Sequence, residues 1–171
     1  MEAVVTERIG EVEVFRQMAR AIHGVVRRNT EGLSEEESLI QPQPEGNCMN
    51  WVVGLLLRVY ESVLPALRQE PVLEPGGFDR YKRGSHPVKS ADEAMELAAL
   101  MAAWDEAARR VDAGLAELTV ERLDEKAPFS PGNNPNETVR TLLTTVLFHQ
   151  AYHAGQTGLL RRIAGKPGAI K

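Results

Sequence analysis

The chain has 171 residues, of which 43% are apolar and 26% are charged. A single globular domain over residues 1–171 fits that length and composition. The formal net charge of -4, with no long basic stretch, argues against a nucleic-acid-binding surface.

The cysteine content and the apolar segments of the chain bear on its cellular location. Cys48 is the only cysteine, so no disulfide can form within the chain, which favours a reducing environment. The first residues, MEAVVTERIGEVEVF, carry acidic side chains early and lack the long apolar segment of a signal peptide. The apolar run WVVGLLL is too short to span a bilayer. We therefore expect a cytoplasmic protein that binds neither nucleic acid nor membranes.

Four stretches of the chain carry apolar residues at helical spacing, and none shows the alternation of a strand. The predicted helices cover residues 6–28, 47–63, 90–118 and 136–164. A Gly- and Pro-rich loop separates the second helix from the third, and a turn-rich segment, FSPGNNPNE, precedes the fourth. This pattern predicts an all-α fold, a four-helix bundle.

Capping signals fix the expected helix starts. Ser34 with Glu37 matches a capping box and predicts a single helical turn after the first helix. Ser90 with Glu93 matches a second box and is predicted to open the third helix. Asn136 is the predicted cap of the fourth.

Two of the four histidines, His149 and His153, stand four residues apart on the predicted fourth helix. Residues at this spacing differ by only ~40° around a helix and ~6 Å along it, so the two imidazoles share one face. The apolar stripe of this helix, continued from Val146 at steps of three and four, passes through both. We therefore expect both rings to face the interior of one end of the bundle.

Two polar rings in an apolar stripe need partners, because an unpaired buried polar group is costly. The spacing suits a metal ion bound by two histidines of one helix, as in zinc proteases, although HQAYH lacks the glutamate that serves as their base. The alternative is that buried water, the other ring or neighbouring polar side chains satisfy each imidazole. Spacing alone leaves both interpretations open.

The same helix contains two mid-helix glycines, Gly155 and Gly158. Glycine inside a helix costs about 1 kcal/mol relative to alanine, so some other interaction should compensate. Close approach of a neighbouring helix is the favoured explanation. Room for a ligand over the helix backbone is the alternative.

At this point the sequence resembles a known family. The segment HQAYHAGQTGLLRRIAGKPGAI is similar to the C-terminal signature of the DinB superfamily, the DinB/YfiT-like metalloproteins, in which His-x-x-x-His-x-Gly-Gln precedes an arginine and a Gly-Lys-Pro tail. The segment GLSEEESLIQPQPEGNCMNWVVGLLLRVYES resembles the family's connection and second helix. FDRYKRGSHP resembles its middle loop. The resemblance covers nearly the whole chain.

The resemblance implies an up-down-down-up bundle in which three histidines hold a divalent ion, often nickel or zinc. Two of these would be His149 and His153. The third belongs to a Trp-x-x-Gly-His pattern on the second helix, but residues 51–55 read WVVGL, with Leu55 where the histidine is expected. Leucine has no lone pair, and catalytic zinc sites typically use three protein ligands. The implied metal site is therefore incomplete.

Three residues are candidates to replace the missing ligand. Cys48 lies about two turns before Leu55, Glu61 lies six residues after it on a different face, and His86 lies in the middle loop. Each has an ordinary structural interpretation: Cys48 as a small buried residue, Glu61 as a solvated side chain and His86 as an exposed loop residue. His23, on the first helix, is expected at the rim.

Two functions of different classes remain. The favoured one is a DinB-like protein of unassigned activity that has lost its metal and binds a small organic ligand, or serves as a stress-linked scaffold. Its pocket would be lined by Trp51, Leu55 and Gln156 beside His149 and His153. No tightly bound cofactor is then expected.

The alternative is a divalent-metal-dependent thiol transferase or hydrolase that acts on a small electrophile, as the resemblance implies. Zinc or nickel would sit at His149 and His153, and Tyr152 or Gln156 would orient its neighbours. An ion of this kind lowers the pKa of a bound water or thiol. The missing third ligand argues against this alternative.

Many members of the family form homodimers, and the resemblance implies one here. Apolar residues outside the main stripes of the first and third helices suggest an interface. These residues are Val4, Val5, Val14, Ala98 and Ala102.

Overall fold

The structure is a computed structural model that describes residues 10–74, 76 and 78–170. In these ranges the chain forms six α-helices, and the only β-type pairing is an isolated bridge between Lys126 and Thr138. The predicted all-α fold is confirmed. The helices are α1 (Glu11–Thr30), α2 (Glu35–Ser38), α3 (Met49–Val63), α4 (Leu97–Ala116), α5 (Val120–Leu123) and α6 (Val139–Ile163), and short 3₁₀ helices cover Leu64–Leu67, Asp79–Tyr81 and Ala91–Glu93.

The four long helices form the bundle, with α1 and α3 each packed against both α4 and α6. Side-chain pairs between helices give their directions: α1 runs antiparallel to α4 and parallel to α6, and α3 runs parallel to α4. The pairs are Arg16 with Asp112 and His23 with Asp105, Glu11 with Arg140 and Asn29 with Thr157, and Asn50 with Met95 and Tyr60 with Trp104. The topology is therefore up-down-down-up.

The centre of the core is an aromatic pair contributed by α3 and α4. Tyr60 and Trp104 are fully buried, and their rings stack at a centroid distance of 4.8 Å and an interplanar angle of 5°. Such a pair contributes about 0.5–1.5 kcal/mol beyond the burial of its area. Burial raises the pKa of the Tyr60 hydroxyl, which therefore stays protonated. The pair fixes α3 beside α4 and leaves the opposite side of α3 to meet α6.

Two of the predicted helix starts were wrong. Ser90 makes no capping bond, because the Glu93 carboxylate that would complete the box accepts from the Lys89 N–H and pairs with Arg80. The third long helix, α4, begins only at Leu97, whose N–H donates to the Glu35 carboxylate at 2.6 Å.

Capping boxes open both α6 and α2. Thr138, not Asn136, caps α6, and it forms a reciprocal capping box with Thr141. The sequence could not separate the two candidates, because both residue types accept hydrogen bonds from a first helical turn. The Ser34–Glu37 box is confirmed and opens α2.

The segment between α3 and α4 is bound to α3 through Gly54. A Cβ atom at Gly54 would lie 2.2 Å from Cδ1 of Tyr81, so only glycine lets the tyrosine ring rest on the helix backbone. The Tyr81 hydroxyl donates to Asn50 Oδ1 at 2.9 Å and accepts from the Met95 N–H at 2.8 Å. The glycine of the WVVGL segment therefore sets the position of the whole loop.

The surface carries some of the residues proposed for an interface. Val14, Ala98 and Ala102 are exposed, whereas Val4 and Val5 lie outside the described residues. In the part of the chain that the structure describes, no helix combines the length and the apolar character needed to cross a membrane.

Candidate functional site

His149 and His153 lie where α6 packs against α3, level with the middle of α3. The Gln150 side chain donates to the Leu56 carbonyl at 2.9 Å, which fixes this register. Both imidazoles are half-buried on the flank of the bundle. The sequence predicts both rings in the interior at one end of the bundle. This prediction was wrong about their burial, which is partial, and about their position along the helices, which is near the middle of α3.

The core stripe of α6 passes through neighbouring positions instead: Val146, Gln150, Ala154 and Thr157 are buried. Its polar members largely have partners. The Thr157 hydroxyl accepts from Asn29 Nδ2 at 2.8 Å and donates to the Ala154 carbonyl at 2.6 Å. Glutamine and threonine thus take the deep positions, and the histidines are left to face the gap between α3 and α6.

Two adjoining cavities open along this gap. The first has a volume of about 590 Å³ and the second about 610 Å³, and both are lined by Leu55, Arg83 and His149. Trp51, His153 and Gln156 line only the second. Apolar side chains dominate the first: Leu55, Val59, Leu73, Phe78, Phe129 and Val146. Cavities of this size and lining are typical of small-molecule sites.

The two imidazoles form a close pair, with ring centroids 4.4 Å apart. His153 Nδ1 lies 2.7 Å from Gln156 Oε1, an arrangement in which the ring donates and Nε2 keeps its lone pair. His149 Nδ1 is buried with no hydrogen-bond partner among the described residues. Burial, with smaller contributions from His153 and Arg83, lowers the pKa of His149. The ring is therefore neutral at physiological pH.

The residues present do not fit a three-histidine metal centre. Leu55 lies beside His149 on the walls of both cavities and offers no donor atom. Among the described residues, no group of three or more His, Cys, Asp or Glu side chains is arranged to hold an ion. The structure therefore supplies two imidazoles and an apolar side chain at the position that the resemblance assigned to a metal.

Among the described residues, the proposed substitute ligands do not complete a metal site. Cys48 is buried, its Sγ lies 3.6 Å from the Val88 carbonyl, and burial raises its pKa, which disfavours the metal-binding thiolate. His86 is exposed in the loop, as expected. His23 lies at the rim and its Nε2 is 2.8 Å from Asp105.

Glu61 differs from its expected solvated state. It is partly buried, and its carboxylate accepts from the N–H groups of Val72 and Leu73 at 3.0–3.1 Å. With the Trp51 Nε1 bond to Ser85 Oγ at 2.9 Å, this contact holds the loop over α3. The loop therefore forms a fixed wall of the first cavity.

Sequence reasoning missed Arg83 as a cavity residue. It lies in the KRG part of FDRYKRGSHP, and only the folding of the loop over α3 brings it beside His149. The two adjacent basic residues, Lys82 and Arg83, were the available signal. Both are exposed, and the sequence does not reveal which of the two lines the cavities.

The outward face of α6 is unusually apolar. Phe148 is 71% exposed, and Tyr152 and Leu159 are each 61% exposed. A Cβ atom at Gly155 would meet nothing within 4 Å, and one at Gly158 would make an ordinary 3.5 Å contact with Asn29. The predicted close approach of a neighbouring helix at these glycines is therefore not observed within the bundle.

The fold and this site define a class of protein: an up-down-down-up four-helix bundle with a histidine pair on its last helix. The sequence profile of the DinB superfamily matches residues 17–157, and the chain belongs to that superfamily. A crystal structure of a conserved protein from Enterococcus faecalis shares the fold, with a TM-score of 0.71 and 17% identity over 93% of this chain and 100% of that one. No curated protein matches the chain.

Proposed function

We propose that this chain is a metal-depleted DinB-superfamily protein that binds a small organic ligand between α3 and α6. The observation that carries the proposal is the apolar cavity of about 590 Å³ beside Leu55, the residue that replaces the expected third histidine. An apolar side chain there extends the apolar wall to His149. The loop contacts of Glu61 and Trp51 support a largely preformed cavity.

A neutral fluorescent probe, N-phenyl-1-naphthylamine, tests the proposal. We expect saturable binding to the parent chain, because the probe's two aromatic rings match the apolar lining. Thr145→Trp places an indole at a residue that lines the first cavity. It should weaken probe binding by about tenfold or more, because a loss of roughly 1.4 kcal/mol of contacts between probe and cavity lowers the affinity tenfold. Fluorescence titration measures both affinities.

Thr144→Trp is the matched control. Thr144 is also exposed on α6 but lines neither cavity. It should leave the probe affinity unchanged. Absence of saturable binding to the parent, or equal weakening by the two tryptophans, would contradict the proposal.

A divalent-metal-dependent thiol transferase or hydrolase is the second candidate. One observation favours it: Gln156 holds His153 by Nδ1, as outer residues orient metal-binding histidines in many metal sites. Metal analysis of protein purified without a histidine tag separates the two candidates. Stoichiometric zinc or nickel would favour the enzyme, and an empty site would favour the ligand-binding bundle.

We also propose that the chain forms a homodimer, through the exposed face of α6. Residues 141–160 contain no Asp, Glu, Lys or Arg, although Phe148, Tyr152 and Leu159 are largely exposed. A two-fold interface sets a surface against itself, so a charge near the axis would meet its own copy. A charge-free face avoids this repulsion and therefore fits a second copy of the chain. Gly155 would let the paired helices approach closely.

Sedimentation tests this surface. We expect dimers of the parent at tens of micromolar, roughly the range for a moderate interface, and monomers of Phe148→Glu at the same concentration. Val120→Glu is the control, because Val120 is 55% exposed on α5 and lies outside residues 141–160 of α6. A monomeric parent, or dissociation by both substitutions, would contradict the proposed interface.

A further inference from the structure

Arg83 is an exposed residue that carries a positive charge beside the two cavities. Arg83 lines both of them and makes no hydrogen bond or ion pair with any residue that the structure describes. The other arginine of the first cavity, Arg58, pairs with Asp79 at 3.3 Å. Arg83 therefore brings an unbalanced guanidinium to the junction of the cavities.

Neither carboxylate of the first cavity forms an ion pair with Arg83. Glu61 is bound by two backbone N–H groups of the loop. Glu74 is exposed at the rim and makes no pair with Arg83. The positive charge of Arg83 also acts on His149, whose pKa it helps to lower. Glu45, which lines the second cavity, makes no ion pair with Arg83 either. Arg83 thus brings a positive charge without a paired carboxylate to the junction, whereas the wall beyond it is apolar.

We infer that the ligand is an amphipathic anion, with an apolar body in the first cavity and a single anionic head group on Arg83. This inference rests on the proposed ligand-binding function. A guanidinium offers a planar fork of N–H donors that matches a carboxylate, sulfonate or phosphate. The cavity volume of about 590 Å³ accommodates a body of two fused or linked rings.

A pair of probes with the same aromatic body isolates the head group. 8-Anilinonaphthalene-1-sulfonate carries a sulfonate, and N-phenyl-1-naphthylamine is its neutral counterpart. For the parent chain we expect the sulfonate to bind more tightly. Arg83→Gln should weaken sulfonate binding by about tenfold, the usual effect of losing a charge-assisted hydrogen bond, and should change neutral binding much less.

Lys82→Gln is the matched control, since it removes the same charge from the adjacent residue, which is exposed like Arg83 but lines neither cavity. It should change neither affinity. Glu74→Gln should strengthen sulfonate binding, because it removes a carboxylate of the first cavity that makes no hydrogen bond with any residue the structure describes.

The outcomes separate this inference from the proposed function. Neutral binding that Thr145→Trp weakens, together with sulfonate binding unchanged by Arg83→Gln, would overturn the inference and leave the proposed function standing. Equal effects of Arg83→Gln and Lys82→Gln would also overturn it, because the attraction would then be long-range. Failure of both probes to bind would remove the proposed function itself.

Discussion

Replacing Leu55 with histidine is expected to give the protein a zinc-dependent melting temperature. Leu55 is only 6% exposed and shares both cavity walls with His149, so the new imidazole would join the existing pair. An ion at 100 times its Kd stabilises the folded state by about 2.7 kcal/mol. For a chain of 171 residues this corresponds to about 5–10 °C. Thermal melts with and without zinc or nickel measure the shift.

The parent chain and Leu55→Asn are the controls. Without metal, Leu55→His and Leu55→Asn should each lower the free energy of unfolding by about 2 kcal/mol or more, since a leucine leaves the core and a polar group enters it. Only the histidine variant should recover with zinc. The recovery should be present near pH 7.5, where His149 is neutral, and weaken near pH 5.5, where protons compete with the ion for the imidazoles. Equal zinc shifts in parent and histidine variant would show that another residue already completes the site.

Gly54→Ala is expected to destabilise the fold strongly for so small a change. The added methyl would lie 2.2–2.7 Å from three ring atoms of Tyr81. The ring cannot simply move away, because its hydroxyl is bonded to both Asn50 and Met95. Overpacking of this kind typically costs about 1–3 kcal/mol, and here it also displaces the loop that walls the cavity. Urea unfolding measures the difference in free energy.

Gly24→Ala is the matched control within α1. A Cβ atom there meets nothing within 4 Å, so alanine should stabilise the chain by about 0.5–1 kcal/mol through its higher helix propensity. The two glycine substitutions should therefore have opposite signs. A neutral or stabilising effect of Gly54→Ala would show that Tyr81 does not rest on the helix backbone.

The four long helices could be predicted because their apolar residues recur every three or four positions over long stretches. The start of α4 could not, since it depends on Glu35, which is distant in sequence and reaches the Leu97 N–H only in the folded bundle. Local signals at Ser90 and Glu93 pointed to an earlier start. The carboxylate of Glu93 was instead used by Lys89 and Arg80.

The histidine pair illustrates a different limit. Residues 141–160 of α6 include no Asp, Glu, Lys or Arg on any face of the helix. Two different faces could therefore be the buried one, and the sequence fits both equally well. One passes through His149 and His153, and the other through Gln150 and Ala154. Packing against α3 selected the second. Periodicity identifies a buried face only when a charged face opposes it.

Leu55 also has a consequence for how the protein responds to its surroundings. A histidine at this position gains most of its stabilising effect when an ion binds, so its contribution to folding depends on metal supply and acidity. A packed leucine contributes through burial alone, and neither variable changes that contribution. At this position, folding is thus independent of fluctuations in cellular metal and pH to which a histidine there would respond.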